Sequence, residues 1–545
     1  MENQRRLLIT ILLTLAVMIV YSALFAPKRQ PIVPKKQVVV AQKEEAQIAK
    51  EEKEPREETV KIIKNTIKTP FIQAVLSNEG AGIKDLYLTR RGIGREEEPF
   101  CLLAPHKAGQ GALTIEEFNN IPLAEVIYKT EIVSQSRIEY SYSLDNRFKI
   151  TKYFIFNNSN YSIDLQIKIS NLTKNDRVFS YSLIGASQIN RESRMDNRFT
   201  NSGVSQGGKI LWQRLPKIGK SVKVPGNVDW AVLRNSHYSS ILRPEQATSY
   251  TFIKGIEGSK EKVQSWIVGV KTKETTLSPG ASVIHKYTFY AGPTTGSELA
   301  LLGLEQATNY GKLNVICQAL IKALNFFYSI SHNYGVAIIL LVLIINIFIY
   351  PLTLKNVKSM KQMQAVQPHL ARLREKHKDD QHKLQTEMMK LYKEHRVNPL
   401  GGCLPMLIQM PIFIALYIVL ARSAELKGSN FLWIKDLSQP DTLAELPFAI
   451  PFLGKTLNLL PIIMTFAMIV QQKVSTGMKG SEDPKSPVHQ QQKMMLFMPI
   501  IFGVMLYNLP SGLVLYWTIN TIFMAAMYYI IQRRFSAEES RKEQQ

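Results

Sequence analysis

Apolar residues are concentrated at the start of the chain and in its C-terminal part, whereas polar and apolar positions alternate in between. A predominantly apolar run extends from Leu7 to about Phe25, directly after two arginines. A bilayer-spanning helix needs about 20 apolar residues, so this run predicts an export signal or a span. Leu24 and Pro27 make a poor cleavage site, which favours an uncleaved anchor over 1–25. A cleaved signal peptide is the alternative.

Two segments of different character follow the anchor. Residues 26–69 are rich in Pro, Lys, Glu and Gln, which predicts a disordered linker outside the cytoplasm. From 70 to 297 short stretches alternate β-branched or aromatic residues with polar ones, as in Phe148–Phe156 and Tyr161–Ile167, and turn residues separate them. This pattern predicts an all-β sandwich domain.

Helical spacing returns at 298–333, where apolar residues recur at three- and four-residue steps while Lys312 and Lys322 lie on other faces. We expect an amphipathic helix in the membrane surface, and a helix packed on the β-domain is the alternative. The remaining apolar runs predict five more spans, at 334–354, 404–422, 459–474, 494–509 and 510–532. A 15-residue helix reaches only about 22 Å, so we expect a bilayer thinned around the shorter ones.

Positive charge fixes the expected orientation. Eleven Lys and Arg side chains lie between Lys355 and Arg396, whereas the segment 423–458 has few. The positive-inside rule therefore places 355–403, 475–493 and the tail 533–545 in the cytoplasm, together with the N-terminus. Long domains are exempt from the rule, so the β-domain lies outside. Multispanning proteins collect Lys and Arg in their cytoplasmic loops, so the formal net charge of +23 does not imply a DNA partner.

The cytoplasmic segment 355–403 reads as two helices joined near Lys378. A stripe that begins with Met360, Met363 and Val366 has helical spacing. It is either the seam of an antiparallel hairpin or a plastic surface for apolar ligands. The positive charge of the hairpin suits anionic membrane lipids or ribosomal RNA, and the nearly charge-balanced tail predicts only weak ribosome attachment.

Motifs for covalent chemistry are absent from the sequence. It has no Gly-rich phosphate loop, no nucleophile elbow and no CxxC pair, and its three cysteines are scattered. The four histidines of the cytoplasmic segment are not spaced for zinc. We therefore expect no enzyme activity, no metal and no cofactor.

Several polar side chains occupy positions where hydrocarbon is expected. An amide facing lipid without a partner costs about 2 kcal/mol or more, so these side chains should face the bundle interior. Each one alone could simply form a hydrogen bond between two helices, but together they suggest a hydrated cavity. The candidates are Asn346, Gln409, Thr465, Thr518, Asn520 and Thr521, with hydroxyls from Tyr417 and Tyr516.

Three motifs carry a family resemblance. The stretch Asn398–Phe413, with Asn398-Pro399-Leu400-Gly401-Gly402 at its start, resembles the entry to the third span of the YidC/Oxa/Alb membrane-protein insertases. Tyr350-Pro351-Leu352-Thr353 and Pro510-Ser511-Gly512-Leu513 resemble two further signatures. With the anchor and the large outer domain, the likeness covers essentially the whole chain, in the arrangement of the Gram-negative members.

This resemblance implies a polytopic α-helical membrane protein with six spans, a five-helix core bundle and a cytoplasmic helical hairpin, plus an all-β supersandwich domain in the periplasm. It implies an inner-membrane insertase and chaperone for nascent inner-membrane proteins, acting alone or with the Sec translocon. A hydrophilic groove open to cytoplasm and lipid would do the work. We expect Asn346, Gln409 and Thr518 to line it and Tyr516 and Trp517 to contact the substrate helix. The hairpin, with Met360 and Met363, would capture substrates first.

One position departs from the family pattern. Members typically have an arginine four residues before the Tyr-Pro-Leu motif, and this chain has Asn346 there. Arg422 does not replace it, because it is predicted about 25 Å from the start of its span, near the outer surface. A solute transporter and a membrane-tethered carbohydrate-binding domain are the competing hypotheses, but no corresponding halves suited to a transporter are evident.

Overall fold

The computed structural model describes residues 61–89, 99–103, 110–190, 199–257, 264–377, 380–395, 404–450, 453–476 and 487–543. The predicted anchor 1–25 and most of the predicted linker lie outside these residues. Within the described part, a β-domain precedes a set of helices.

The β-domain consists of antiparallel strands in a nine-stranded, a six-stranded, a four-stranded and a two-stranded sheet. The strands are β1 Lys64–Lys68, β2 Ile72–Ser77, β3 Gly82–Leu88, β4 Phe100–Leu103, β5 Ile115–Phe118, β6 Ile121–Pro122, β7 Lys129–Ser134, β8 Arg137–Leu144, β9 Phe148–Phe156, β10 Ser162–Asn171, β11 Arg177–Phe179, β12 Tyr181–Ser187, β13 Asn201–Gln206, β14 Lys209–Gln213, β15 Ser221–Pro225, β16 Trp230–Arg234, β17 Tyr238–Pro244, β18 Thr248–Glu257, β19 Gln264–Thr272, β20 Thr275–Leu277 and β21 Ser282–Pro293. The nine-stranded sheet has the order β14-β13-β16-β17-β21-β10-β9-β8-β7, and the six-stranded sheet has the order β15-β18-β19-β12-β5-β6.

Alternation of side chains explains how these sheets form a core. In β10 the side chains of Ile163, Leu165, Ile167 and Ile169 are all fully buried, whereas the residues between them are more accessible. Successive strand residues point to opposite faces, so one face of β10 is apolar and packs inward. Most of the buried apolar residues of the domain belong to one continuous hydrophobic core. The predicted β-rich domain is therefore confirmed.

The start of the domain differs from the prediction. Strand β1 begins at Lys64, inside the segment 26–69 that was expected to be a linker. It pairs with β2 along its whole length, and Ile67 is only 7% exposed. A single short strand in a charged context has too weak a pattern to be recognised without its partner.

Eight α-helices of the described residues follow the last strand of the domain. They are α1 Gly296–Ala300, α2 Asn314–Ser331, α3 Tyr334–Lys376, α4 Gln381–Glu394, α5 Leu404–Arg422, α6 Leu459–Thr476, α7 Pro487–Leu506 and α8 Ser511–Glu543. Among the described residues, three helical segments are long and apolar enough to cross a membrane: Gly311–Ser331, Tyr334–Ser359 and Ser511–Arg534. Shorter apolar segments lie at Gln409–Arg422, Leu459–Ser475 and Phe497–Leu506.

Helix α3 is one continuous helix of 43 residues. At 1.5 Å per residue it is about 64 Å long, roughly twice the hydrocarbon thickness, so a bilayer could enclose only about half of it. In its second half Val366 and Leu370 are each 3% exposed and pack on Met388, Leu391 and Tyr392. These contacts form the seam between the two helices of the hairpin. The side chains of Met360 and Met363 lie outside the described residues.

The bundle has an apolar inside and an apolar outside. Ile338, Val419 and Leu513 are fully buried in its core, whereas Phe348 is 79% exposed and Phe466 is 69% exposed. Large exposed apolar side chains on apolar helices are expected where hydrocarbon replaces water as the solvent.

Two cations at and just after the end of α5 lie against aromatic rings in or next to the β-domain. The Arg422 guanidinium, at the end of α5, lies 4.8 Å from the ring centre of Tyr310 and 6.0 Å from that of Phe199. The Lys427 ammonium lies 4.8 Å from the Tyr238 ring and 5.3 Å from the Phe100 ring. Cation–π contacts of this kind stabilise by about 0.5–2 kcal/mol each. They connect the C-terminal end of α5 to the domain and its flanking segment.

The predicted loop 423–458 contains a β-ribbon that the sequence analysis missed. Its strands are β22 Thr442–Ile450 and β23 Gly454–Asn458, which pair in antiparallel fashion. We call these two strands the ribbon.

A buried hydrogen-bonded triad joins the two large sheets. The Tyr181 hydroxyl of β12 lies 2.9 Å from Nδ1 of His285 and 2.8 Å from the Tyr287 hydroxyl, both on β21. Burial lowers the pKa of His285 to about 4. The folded domain therefore holds this imidazole neutral at pH values where an unfolded chain would protonate it.

This triad predicts acid sensitivity. The unfolded state binds one more proton than the folded state between about pH 6.5 and 4, so stability is full above this window and is lost as the pH falls through it. We expect His285→Asn to flatten the decline of the melting temperature of the full chain in detergent across that window. His369→Asn, at an exposed site of the hairpin, should keep the wild-type slope. Identical slopes for His285→Asn and wild type would contradict the assignment.

Candidate functional site

Helix α8 presents two polar side chains one turn apart to two different helices. Tyr516 and Asn520 are four residues apart and so lie on one face. The Tyr516 hydroxyl accepts a hydrogen bond from Nε2 of Gln409 on α5, and Oδ1 of Asn520 accepts one from Nδ2 of Asn346 on α3, at 2.9 Å. We call these four side chains the polar cluster.

The polar cluster lies deep in the bundle. Asn346 is twelve residues into α3 and Asn520 is nine residues into α8, which places them about 18 Å and 14 Å from the N-terminal ends of these helices. Asn346 is 3% exposed and Tyr516 is 1% exposed, but Gln409 and Asn520 are only half-buried. Asn346 and Tyr516 are therefore packed on all sides, whereas Gln409 and Asn520 keep part of their surface accessible.

Asn346 uses both of its donor hydrogens. Besides Asn520, its amide nitrogen donates to the carbonyl of Val342, one turn earlier in α3, at 2.9 Å. An amide satisfied in this way is tolerated at membrane depth. The sequence-based expectation that Asn346 faces inward agrees with its burial, while its contact with water or substrate stays a prediction.

Trp517 lies beside the cluster in an aromatic group. Its ring centre is 4.7 Å from that of Phe413 on α5, edge to face, and 4.8 Å from that of Phe502 on α7. The ring is half-buried. Such edge and tilted contacts stabilise by about 0.5–1.5 kcal/mol beyond their buried area.

The threonine candidates bond to their own helices. The hydroxyls of Thr518 and Thr521 donate to the carbonyls of Val514 and Trp517 at 2.7 and 2.8 Å. Thr465 on α6 donates to the carbonyl of Pro461 at 2.8 Å. A hydroxyl bonded in this manner can still accept a hydrogen bond, because oxygen keeps its lone pairs.

Tyr417 lies apart from the cluster. Its ring centre is 6.2 Å from that of Phe199, so it sits towards the β-domain end of α5. Arg422 is on the same side of the molecule, over Tyr310, and does not contact the cluster. The structure thus brings together Asn346, Gln409 and Tyr516, with Trp517 adjoining, and leaves Tyr417 outside.

A second polar pair was missed by the sequence analysis. Nδ2 of Asn356 donates to the Tyr528 hydroxyl at 2.9 Å, and Asn356 is 5% exposed. Its position after the Tyr-Pro-Leu motif, next to basic residues, made it read as part of the cytoplasmic segment. Because 346 pairs with 520 and 356 with 528, α3 and α8 run parallel, as expected for spans that cross in the same direction.

Among the described residues there is no group of three or more His, Cys, Asp or Glu that could hold a metal ion.

Comparison with known proteins gives the family. Residues 64–323 match the family model described as YidC periplasmic domain, and residues 326–539 match the one described as 60Kd inner membrane protein. A membrane protein insertase YidC of Pelobacter propionicus is 30% identical over 97% of this chain and 99% of its own length. One from Syntrophus aciditrophicus is 31% identical over 88% of this chain and 87% of its own. The chain belongs to the YidC membrane protein insertase family.

A solved structure of a YidC insertase gives a weaker likeness. It is described as an active insertase with the first transmembrane domain resolved, and it is 19% identical with a TM-score of 0.38. The match covers 86% of this chain and 93% of that one. The family predicted from the three motifs is confirmed by the sequence relatives, and the β-domain corresponds to the YidC periplasmic domain.

The polar cluster predicts measurable coupling between two helices. Interhelical hydrogen bonds in membranes contribute about 0.6 kcal/mol on average, so Asn346→Leu and Asn520→Leu should destabilise the protein less together than the sum of their separate effects. The measurement is a double-mutant cycle on unfolding in detergent. Asn346→Leu with Tyr528→Phe is the matched control, since these residues do not touch. Additive effects for 346 and 520 would contradict the pairing.

Proposed function

We propose that this chain inserts other proteins into the bacterial inner membrane and assists their folding, with the polar cluster as the surface that receives polar parts of the substrate. The single observation that carries the proposal is the meeting of Asn346, Gln409, Tyr516 and Asn520 at membrane depth, with Gln409 and Asn520 half-buried. The family relationship supports the same function.

The physical task is to carry a polar segment past hydrocarbon. A charged side chain at the bilayer centre costs about 3 kcal/mol on insertion scales. Amide and hydroxyl groups offer both donors and acceptors, so hydration of a groove beside them lowers that cost. The apolar segment of the substrate then partitions into lipid with a gain of about 0.3–0.6 kcal/mol per Leu, Ile or Phe. This path requires no nucleotide and no covalent step.

The proposed arrangement has six spans, with both termini in the cytoplasm and the β-domain, a supersandwich, in the periplasm. The anchor is the first span, and α3, α5, α6, α7 and α8 supply the other five. Helix α2 lies in the membrane surface. Its exposed Val315, Phe326 and Ile330 support this location, because they would face lipid.

The cytoplasmic hairpin of α3 and α4 is proposed to meet substrates first. Its partners would be nascent inner-membrane proteins, anionic lipids and, weakly, the ribosome, with the Sec translocon as an alternative source of substrates. The side chains of Val366 and Leu370 are buried between the two helices of the hairpin and are therefore not available to a substrate. Capture by the hairpin therefore depends on its outer faces, where the cations lie.

Asn346 gives the direct test of the cluster. We expect Asn346→Leu to lower insertion of a small two-span substrate with a polar loop by about tenfold, since hydrocarbon replaces a polar group whose hydrogen bond contributes about 0.5–1.5 kcal/mol. The Asn346→Arg protein should insert the same substrate normally, because a cation also attracts the polar loop of the substrate. The measurement is protease protection in reconstituted liposomes. Tyr528→Phe, which removes a polar contact between the same helices, is the control. Equal insertion by wild type and the Leu variant would refute the role.

The path of the substrate can be mapped from the same side chains. A photocrosslinker placed at 409 or 517 should capture a nascent inner-membrane protein stalled during insertion, because both side chains are half-buried beside the cluster. A crosslinker at 419, where Val419 is fully buried in the core, should give only internal products. Capture at 419 but not at 409 or 517 would move the substrate path away from the cluster.

A further inference from the structure

The ribbon is fixed at its base to the outer ends of three membrane helices. Asn458, the last residue of β23, donates from its backbone and its side chain to Tyr507, just after α7, at 2.9 and 2.8 Å. Asp441, just before β22, accepts from the backbone nitrogen of Leu460 in the first turn of α6. The backbone of Ser511, where α8 begins, donates to the carbonyl of Gln439 at 2.8 Å. On the proposed six-span arrangement, on which this inference rests, the base lies where these helices leave the hydrocarbon.

The body of the ribbon is apolar and uncovered. Leu443 is 51% exposed and Phe448 is 61% exposed, and the neighbouring Leu446, Pro447 and Ala449 are at most half-buried. The only charged side chains on the two strands are Glu445 and Lys455. Consecutive exposed apolar residues of this kind are unusual in water and indicate a function in binding.

The backbone hydrogen bonds between the two strands do not by themselves explain why the ribbon is stable. The strands pair from Thr442 to Glu445 and again at Ile450, with an irregular stretch between these positions. A two-stranded ribbon is marginally stable in water by itself, and this one lacks part of its ladder. Something must cover the side chains near Phe448.

The surroundings of the ribbon point to lipid. The ribbon leads directly into α6, whose Ile462 is 49% exposed and whose Phe466 is 69% exposed on the outer face of the bundle. Leu432 and Trp433, beside its base, are 74% and 38% exposed, and Nε1 of Trp433 donates to Asp441 at 3.0 Å. A tryptophan with a bonded ring nitrogen and an accessible ring is typical of the membrane–water interface.

We propose that the ribbon inserts its apolar end, around Phe448, into the boundary between headgroups and acyl chains of the outer leaflet. It would anchor the connection between α5 and α6 to the membrane surface. Because Glu445 and Lys455 leave the two strands without net charge, the insertion depends on apolar burial and not on anionic lipid.

The test compares two side chains of nearly equal exposure in the full chain. Phe448→Cys and Ile132→Cys, where Ile132 on the edge strand β7 is 63% exposed, are each labelled with an environment-sensitive fluorophore. Both proteins are reconstituted in vesicles of phosphatidylcholine, with or without phosphatidylglycerol. Wild-type protein treated in parallel gives the background from native cysteines. Quenching is measured with aqueous iodide and with nitroxide-bearing lipid.

We expect the label at 448 to be quenched by nitroxide lipid and to be about fivefold less sensitive to iodide than the label at 132, because ions are excluded from the acyl boundary. The result should be the same with and without phosphatidylglycerol. Equal iodide quenching at both sites would overturn the proposal. So would shielding of 448 from both quenchers, since protein, either this chain or a second copy, would then cover the ribbon.

Discussion

A polar amide inside hydrocarbon must find a partner, and this requirement governs the arrangement of the helices. Asn346 meets Asn520 and its own helix, and Gln409 meets Tyr516. Since Tyr516 and Asn520 lie on one face of α8, a single helix satisfies polar groups from two others. Helix α8 is thereby fixed between α3 and α5, and the half-buried members of the cluster form a polar surface that the apolar exterior lacks.

The proposed insertase role depends on the polar cluster, whose side chains are all uncharged. An arginine at the position of Asn346 would favour acidic substrate segments, whereas an amide both donates and accepts and carries no charge. A neutral cluster costs less to keep buried than an unpaired guanidinium. On the proposed function, this chain therefore relies on hydration and hydrogen bonding of the substrate more than on attraction between charges.

The end of the bundle next to the β-domain is held by contacts of a different kind. Arg422 and Lys427 place their charges on aromatic rings of or next to the β-domain, which fastens the end of α5 to that domain. The ribbon connects the same region to α6, α7 and α8 through Asn458, Asp441 and Ser511. The β-domain, the helix ends and, on our proposal, the lipid surface thus meet in one region.

Periodicity in the sequence determined the parts of this protein that depend on local pattern. Alternation predicted the β-domain and apolar runs predicted the main helices, because each pattern records which face of an element is buried. Helical spacing indicated a stripe containing Val366 but left open whether it was a seam or a binding surface, and the packing of Val366 and Leu370 decided for the seam. Polar residues within apolar runs marked Asn346, Gln409 and Tyr516. Only the tertiary structure decided which of these residues meet, that Tyr417 lies apart, and that Asn356 pairs with Tyr528. It also decided that β1 and the ribbon exist, because a short strand is defined by its partner. Contacts between residues far apart in the chain depend on how helices and strands pack, and no local pattern encodes that packing.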